Sequence, residues 1–265
     1  MPAFETEDHC SIYYETYGFE EEKPTILFLN GITQTTLNWL PLARDLKHQF
    51  RIILYDARGQ GKSSPGQREL SLELHVNDLA RLLRHLKVEK SYLVGLSHGA
   101  QVACAFAARY AQQVDRLILC SLGAEKDKFT RAVITTWQKA LAAGGVAAMA
   151  WAALPLVFGR KYLGAHQRWL DKIVAAIVSR NKKAFLSAHL DAMRHYPAPS
   201  TFASQIQCPC LVLSGTDDPL ATAENAKRLA DLWAGQHILF QNTGHSIPAE
   251  SPQEFKSALL EFLQT

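Results

Sequence analysis

The sequence predicts an α/β protein: a mostly parallel, doubly wound sheet with helices on both faces and one inserted helical cap. Three observations lead there. Short apolar runs of strand type alternate with amphipathic segments from Thr25 to Ser121, and again from Cys210 to the end of the chain. Between Ala124 and Ser204 that alternation stops and the pattern is helical. Finally, Ser91 to Tyr110 passes from an apolar strand-type run into an Ala-rich helical spacing within five residues, Gly95-Leu96-Ser97-His98-Gly99. Residues 1–123 and 205–265 are assigned to the core on these grounds, and 124–204 to the cap. At 265 residues the chain is long enough to bury a large core.

Taken in order, Ser11 to Tyr17 alternates as an early antiparallel strand at the sheet edge. Thr25 to Leu29 is continuously apolar, as a strand covered on both faces requires. Trp39 to Phe50 reads as a helix, with Leu42, Leu46 and Phe50 on one face. Arg51 to Tyr55 is the next strand. Ser71 is an N-cap for a helix whose apolar face carries Val76, Leu79, Leu83 and Leu86. Arg116 to Ser121, Cys210 to Ser214 and His237 to Gln241 read as further strands, with a helix over Ala223 to Trp233. At the last helix, Ser251-Pro252-Gln253-Glu254 has the residues of a capping box.

Composition narrows the function classes. An apolar fraction of 48% is that of an ordinary globular protein. The net charge of +3 suggests no nucleic-acid partner. The five cysteines (Cys10, Cys104, Cys120, Cys208, Cys210) have no framework spacing and sit mostly in apolar runs, so buried thiols in a reducing compartment are expected. Cys208-Pro209-Cys210 lacks both the spacing of a redox pair and the partners of a metal site. The first ten residues have no signal-peptide pattern, which points to the cytoplasm. Residues 140–158 carry no charge, yet Gly144-Gly145 and Pro155 break the run. A pocket-lining helix pair is expected there, with no stable membrane insertion.

The elbow carries the chemistry. A tight turn between strand and helix forces the Ser97 backbone into strain and projects its hydroxyl, and the small residues Gly95 and Gly99 give the turn room. The helix that follows aims free N–H groups at developing negative charge. A serine hydroxyl is a poor nucleophile until a base takes its proton. Thr243-Gly244-His245 supplies that base on a loop after the last strand. Leu213-Ser214-Gly215-Thr216-Asp217-Asp218-Pro219 puts carboxylates just past a strand end. Asp217 and Glu125 compete with Asp218 for the third position.

With the Asn30-Gly31 turn, the Asp56 to Ser63 loop (D-x-R-G-x-G-x-S), Gly95 to Gly99, and Gly215-x-x-Asp218-Pro219 with Gly244-His245, nearly the whole chain resembles the α/β-hydrolase superfamily. The resemblance implies Ser97 as nucleophile, His245 as base and then acid, and Asp218 as the carboxylate that orients His245. It implies an oxyanion hole from the backbone N–H groups of Ile32 and His98. The sequence itself gives no cofactor and no metal requirement. Asp56, Arg58, Gly59 and Gly61 then shape a neighbouring loop. The expected activity is cleavage of a carboxylic ester or thioester through an acyl-enzyme. Acyl transfer from a coenzyme A or carrier-protein thioester, lactone or carbon–carbon bond hydrolysis, and a slow ligand-sensing role are the alternatives. A weaker likeness to 3-hydroxyacyl transacylases rests on Asn30-Gly31 with Thr35-Thr36 and on Thr222 to Ala226, and its elbow differs at His98-Gly99-Ala100.

The cap bears on substrate. Residues 124–204 hold twelve Lys/Arg against four Asp/Glu, a balance of +8 that leaves −5 elsewhere. A basic lid over an apolar pocket would attract a small-molecule ester or acyl thioester that is anionic, or an acyl carrier protein. Trp137, Trp151, Leu154 and Phe158 are the residues expected to line the acyl pocket.

Overall fold

The computed structural model describes residues 2–264. Among them one sheet of eight strands runs through the molecule: β1 (Ala3–Glu5), β2 (Ser11–Tyr17), β3 (Thr25–Leu29), β4 (Arg51–Tyr55), β5 (Ser91–Leu96), β6 (Val114–Cys120), β7 (Cys210–Gly215) and β8 (Gln236–Phe240). Their order is β1-β2-β4-β3-β5-β6-β7-β8, with β2 antiparallel to both of its neighbours and every other pair parallel. Every side chain of β3 and of β7 is buried, the reason both read as unbroken apolar runs. The edge differs from expectation. Ser11–Tyr17 lies one strand inside it, because Ala3–Glu5 pairs with its outer side, Phe4 opposite Ile12. Three residues are too few to show a period.

Helices cover both faces. On one side α2 (Leu72–His85), α3 (His98–Arg109) and α8 (Ala223–Leu232) bury Leu79, Leu83, Phe106 and Leu229 against Leu27, Leu93 and Leu119. On the other, α1 (Leu40–Leu46) and, after the single turn α9 (Ile247–Glu250), α10 (Pro252–Gln264) bury Leu46, Phe255 and Leu259 against Ile26, Val94 and Leu213. Ser71 caps α2 as its position requires, its hydroxyl accepting from the Leu74 N–H. The first helix is shorter than its apolar spacing suggests. Phe50 reaches the core from a turn that closes with its N–H on the Leu46 carbonyl. The Ser251 hydroxyl pairs with Thr243 Oγ1 at 2.9 Å instead of closing a box on Glu254. That contact ties the start of the last helix to the loop before His245.

From Lys128 to Phe202 the chain is helical: α4 (Lys128–Val157), α5 (Arg160–His166), α6 (Leu170–Arg180) and α7 (Lys183–His195), with short single turns between and after them. The long helix α4 has the length and composition to cross a membrane. It is nonetheless kinked at Gly144-Gly145, where Gly145 takes φ 69°, and Trp137, Leu141, Met149 and Leu154 are buried within the cap. Pro155 stands in the last turn and does not end the helix at once: past it, the Phe158 N–H still donates to the Leu154 carbonyl.

One buried ionic cluster holds the loop after β4. The Arg58 side chain is fully buried between two carboxylates. Its Nε and Nη2 donate to Asp78 at 2.8 Å each, and its Nη1 and Nη2 donate to Asp8 at 2.5 and 3.0 Å. Those bonds hold the Asp8 carboxyl well below the usual carboxylate range. Arg58→Met leaves two buried carboxylates without a counter-charge, and is expected to cost about 3–5 kcal/mol of folding stability. Urea unfolding measures this. A loss below about 1 kcal/mol, the size of a surface pair, would contradict the burial argument.

Candidate active site

Ser97 sits between β5 and α3 with φ 54° and ψ −111°, a conformation that a non-glycine residue holds only when its surroundings enforce it. The enforcement is visible on both sides. The Ser97 N–H donates to the Cys120 carbonyl at 2.9 Å, and the Ser97 carbonyl accepts from the Gln101 N–H at 3.0 Å. A Cβ at Gly99 would lie 2.4 Å from the Leu29 carbonyl oxygen, and one at Gly95 2.5 Å from Ala100 Cα. Neither glycine tolerates a side chain, because helix and sheet meet there backbone to backbone.

His245 follows β8 on a loop that several groups hold. Its Nδ1 lies 2.8 Å from Asp218 Oδ2, and the Asp218 side chain is fully buried. A carboxylate only accepts, so Nδ1 carries the proton and Nε2 remains as the basic nitrogen. The other Asp218 oxygen accepts from the N–H groups of Leu220 and Ala221 at 2.8 and 3.0 Å, which fixes the carboxylate plane. The competing acids are engaged elsewhere. Asp217 accepts from the Arg160 N–H at 3.2 Å, and Glu125 accepts from the Ser200 hydroxyl at 2.5 Å.

Two residues that sequence reasoning missed secure this loop. The Ser121 hydroxyl donates to the His245 carbonyl at 2.7 Å. The Glu250 carboxylate accepts from the N–H groups of Gly244 (2.9 Å), Ser246 (3.1 Å) and Gly159 (2.8 Å), joining the histidine loop to the end of α4 in the cap. Burial raises the Glu250 carboxyl above its ordinary value, against the pull of these bonds. Nothing in the spacing marks Glu250, because its partners are backbone groups up to 91 residues away.

His98 is the first residue of α3, so no helical carbonyl stands a turn earlier to accept its N–H. The loop bearing Ile32 is braced from beneath. Gln60 Nε2 donates to the Gly31 and Ile32 carbonyls at 3.2 and 2.9 Å. Asn30 takes the Trp39 indole N–H at 3.0 Å and donates to the Tyr55 carbonyl at 2.8 Å, so it shapes the turn as expected. Asp56 accepts from the N–H groups of Thr36 and Lys62 at 2.8 and 2.9 Å, the loop-fixing part expected of it.

Ser97, His98, Ile32 and His245 open on one cavity of about 340 Å³, roofed by the cap residues Trp137 and Phe158. Of the other two expected lining residues, Trp151 is 44% exposed on the outside of the cap. Leu154 is buried in the cap's own core against Ala150 and Val174. In the second half of the long helix Val146, Met149, Ala150, Ala153 and Leu154 form the buried face at helical spacing, and Trp151 falls on the opposite side. Lys126 and Arg180 also reach the lining, with Glu125 as the one carboxylate among the lining residues, in an otherwise largely apolar pocket.

A parallel sheet with a serine elbow and a histidine–carboxylate pair at its carboxyl end defines an α/β hydrolase. Residues 24–252 match the family model of the alpha/beta hydrolase fold; the chain belongs to that family and is an enzyme of the hydrolase class. It is 26% identical over 257 residues to a RutD protein of Agrobacterium fabrum named as a putative carbamate hydrolase, an alignment covering 95% of this chain and 98% of that one. Among solved structures, the enol-lactonase from Burkholderia xenovorans LB400 superposes with a TM-score of 0.90 at 26% identity, over the full length of both chains. A thermophilic esterase from Thermogutta terrifontis, solved with malate bound, has a TM-score of 0.84 at 27% identity, covering 96% of this chain and 93% of that one.

Proposed function

We propose that this enzyme hydrolyses a small anionic carboxylic ester, open-chain or lactone, through an acyl-enzyme on Ser97. The observation that carries the reading is the 2.8 Å contact of His245 Nδ1 with a fully buried Asp218, on a loop that shares its cavity with the strained serine. In the first half-reaction, Ser97 Oγ attacks the ester carbonyl while His245 Nε2 takes its proton. The negative charge then forming on the carbonyl oxygen is met by the N–H groups of Ile32 and His98. Collapse of the tetrahedral adduct breaks the bond to the alcohol oxygen, which leaves with the proton from His245. Water, deprotonated by His245, repeats the sequence on the acyl-enzyme and releases the acid. Five free thiols, four of them buried, support a reducing, cytoplasmic setting.

The size and charge of the cavity support the substrate class. A volume near 340 Å³ is at the low end for small-molecule sites and favours a short substrate over a long acyl chain carried on a protein. Lys126 spends two donors on the carbonyls of Met193 (2.7 Å) and Tyr196 (3.3 Å), leaving the third for a substrate carboxylate. The Trp137 indole N–H is buried without a partner and offers a further donor at the wall. The esterase relative solved with a bound dicarboxylate, malate, lends weight to an anionic substrate. So does the enol-lactonase relative to a lactone.

The test is a panel of short esters and lactones in neutral and carboxylate-bearing pairs, with product analysis. The expected product is the free acid; transfer of the acyl group to an added alcohol or thiol as the main outcome would replace hydrolysis by transacylation. Lys126→Met is expected to lower kcat/KM on the anionic member of a pair roughly tenfold, in line with loss of one bond to a charged group. The neutral member should change little. Burial, with Arg131 adding to it, brings the Lys126 ammonium down to about 8. The cation is therefore present below that pH and lost above it, so KM for the anionic ester should rise as pH passes through about 8. An equal effect on both esters would assign Lys126 to holding the end of α7 alone.

A further inference from the structure

Behind the elbow, and outside the substrate cavity except for His98, three histidines meet. His75 comes from α2, His98 from α3 and His189 from α7, so two belong to the core and one to the cap. All three are buried, each 2% exposed or less. Their ring centroids lie 5.0 Å (His75–His98), 5.3 Å (His75–His189) and 5.4 Å (His98–His189) apart. One nitrogen from each ring lies within 4.8 Å of one from each of the others.

Two of the buried nitrogens, His75 Nε2 and His189 Nδ1, have no hydrogen-bond partner. For His189 the tautomer follows from the geometry. Its Nε2 lies 2.8 Å from the Arg58 carbonyl, which can only accept, so Nε2 carries the proton and Nδ1 presents an unused lone pair. A ring that donates one N–H to a backbone carbonyl and keeps the other nitrogen free is the arrangement found around metal-ligating histidines. Arg58 itself is neutralised by Asp8 and Asp78, which removes the charge that would otherwise repel a cation nearby.

We propose that His75, His98 and His189 form a binding site for one divalent transition metal ion of the zinc type, which ties the cap to the core behind the oxyanion hole. Three neutral imidazoles suit zinc and its neighbours and leave a fourth position for solvent. Zinc–nitrogen bonds of about 2.0–2.1 Å bring tetrahedral ligand atoms to roughly 3.4 Å from one another, so binding requires the His75 and His189 rings, now stacked at 16°, to turn out of parallel, and His98, whose Nε2 lies 3.4 Å from the Tyr196 hydroxyl, to give up that contact if it ligates through Nε2. The site is independent of the reading of Ser97, His245 and Asp218.

The experiment uses the full chain, freed of metal with a chelator and titrated with Zn²⁺, with Mg²⁺ as control. Expected are one Zn²⁺ per chain and a Tm that climbs with free Zn²⁺, as mass action on the folded state requires, with no response to Mg²⁺. His75→Phe and His189→Phe, which keep an aromatic ring in place, should lose both effects. His245→Ala should retain them. Because either Phe variant can fail to fold, wild-type protein loaded with Co²⁺ gives a second readout: visible absorption of a four-coordinate ion, and an X-ray absorption signal for three imidazoles. The proposal is overturned by absence of saturable binding to wild type or by binding that survives both Phe variants. Loss with His245→Ala, which would put the ion in the substrate cavity, or fewer than three imidazoles on Co²⁺ would overturn it equally.

Discussion

Ser97→Ala is expected to reduce kcat on any ester the enzyme accepts by roughly 10⁴-fold or more, a loss typical of removing a nucleophile on which the other groups act. Alanine keeps the Cβ and the backbone bonds that Ser97 makes to Cys120 and Gln101, so the elbow persists and the fold is retained. Labelling by a fluorophosphonate should disappear with activity. The measurement is kcat together with the thermal unfolding midpoint. A variant that keeps a tenth of its activity with an unchanged Tm would remove Ser97 from the chemistry. The effect also separates the hydroxyl from its setting: the backbone N–H groups of Ile32 and His98 remain, so on the proposed mechanism residual turnover reports what those two donors alone supply.

Asp218→Asn should be nearly as severe, roughly 10⁴-fold in kcat, and the reason can be followed atom by atom. The Leu220 and Ala221 N–H groups need an acceptor, so the amide oxygen of the introduced side chain would take the position of Oδ1. Its NH₂ would then face His245 Nδ1, where the carboxylate oxygen Oδ2 had accepted a hydrogen bond. A donor there forces Nδ1 to accept, which moves the ring proton to Nε2 and leaves no lone pair for the proton of Ser97. Binding of substrate need not change, so the loss falls on kcat more than on KM. A loss of less than tenfold would mean that another group orients His245. Asp217 and Glu125 are occupied with Arg160 and Ser200 and do not offer it.

The parts of this enzyme legible in the chain are those whose physics is local. A strand covered on both faces must be apolar throughout, so Thr25–Leu29 and Cys210–Gly215 announced themselves to within a residue. The elbow needs two glycines at fixed offsets because backbone meets backbone there, and Gly95 and Gly99 stand where that contact falls. Ser97, Asp218 and His245 were legible as candidates because each sits at a strand end with its own short signature. Where the signal was too short or partners were distant, the reading failed. The three-residue strand β1 displaced Ser11–Tyr17 from the edge, and Trp151 lies on the face of α4 opposite Met149, Ala150 and Leu154.

By itself, then, the sequence determined the alternation of strand and helix, the place of the helical insertion, and which residues stand as candidates for nucleophile, base and acid, since these follow from periodicity and from turn geometry within a few residues. The tertiary structure decided what those groups lean on: Asp8 and Asp78 about Arg58, Glu250 between the histidine loop and the cap, and three histidines from three helices in one buried cluster. The contacts about Arg58, between Glu250 and the cap, and among the histidines join groups 20 or more residues apart. They depend on the angles at which helices cross the sheet, and no spacing along the chain records an angle in space.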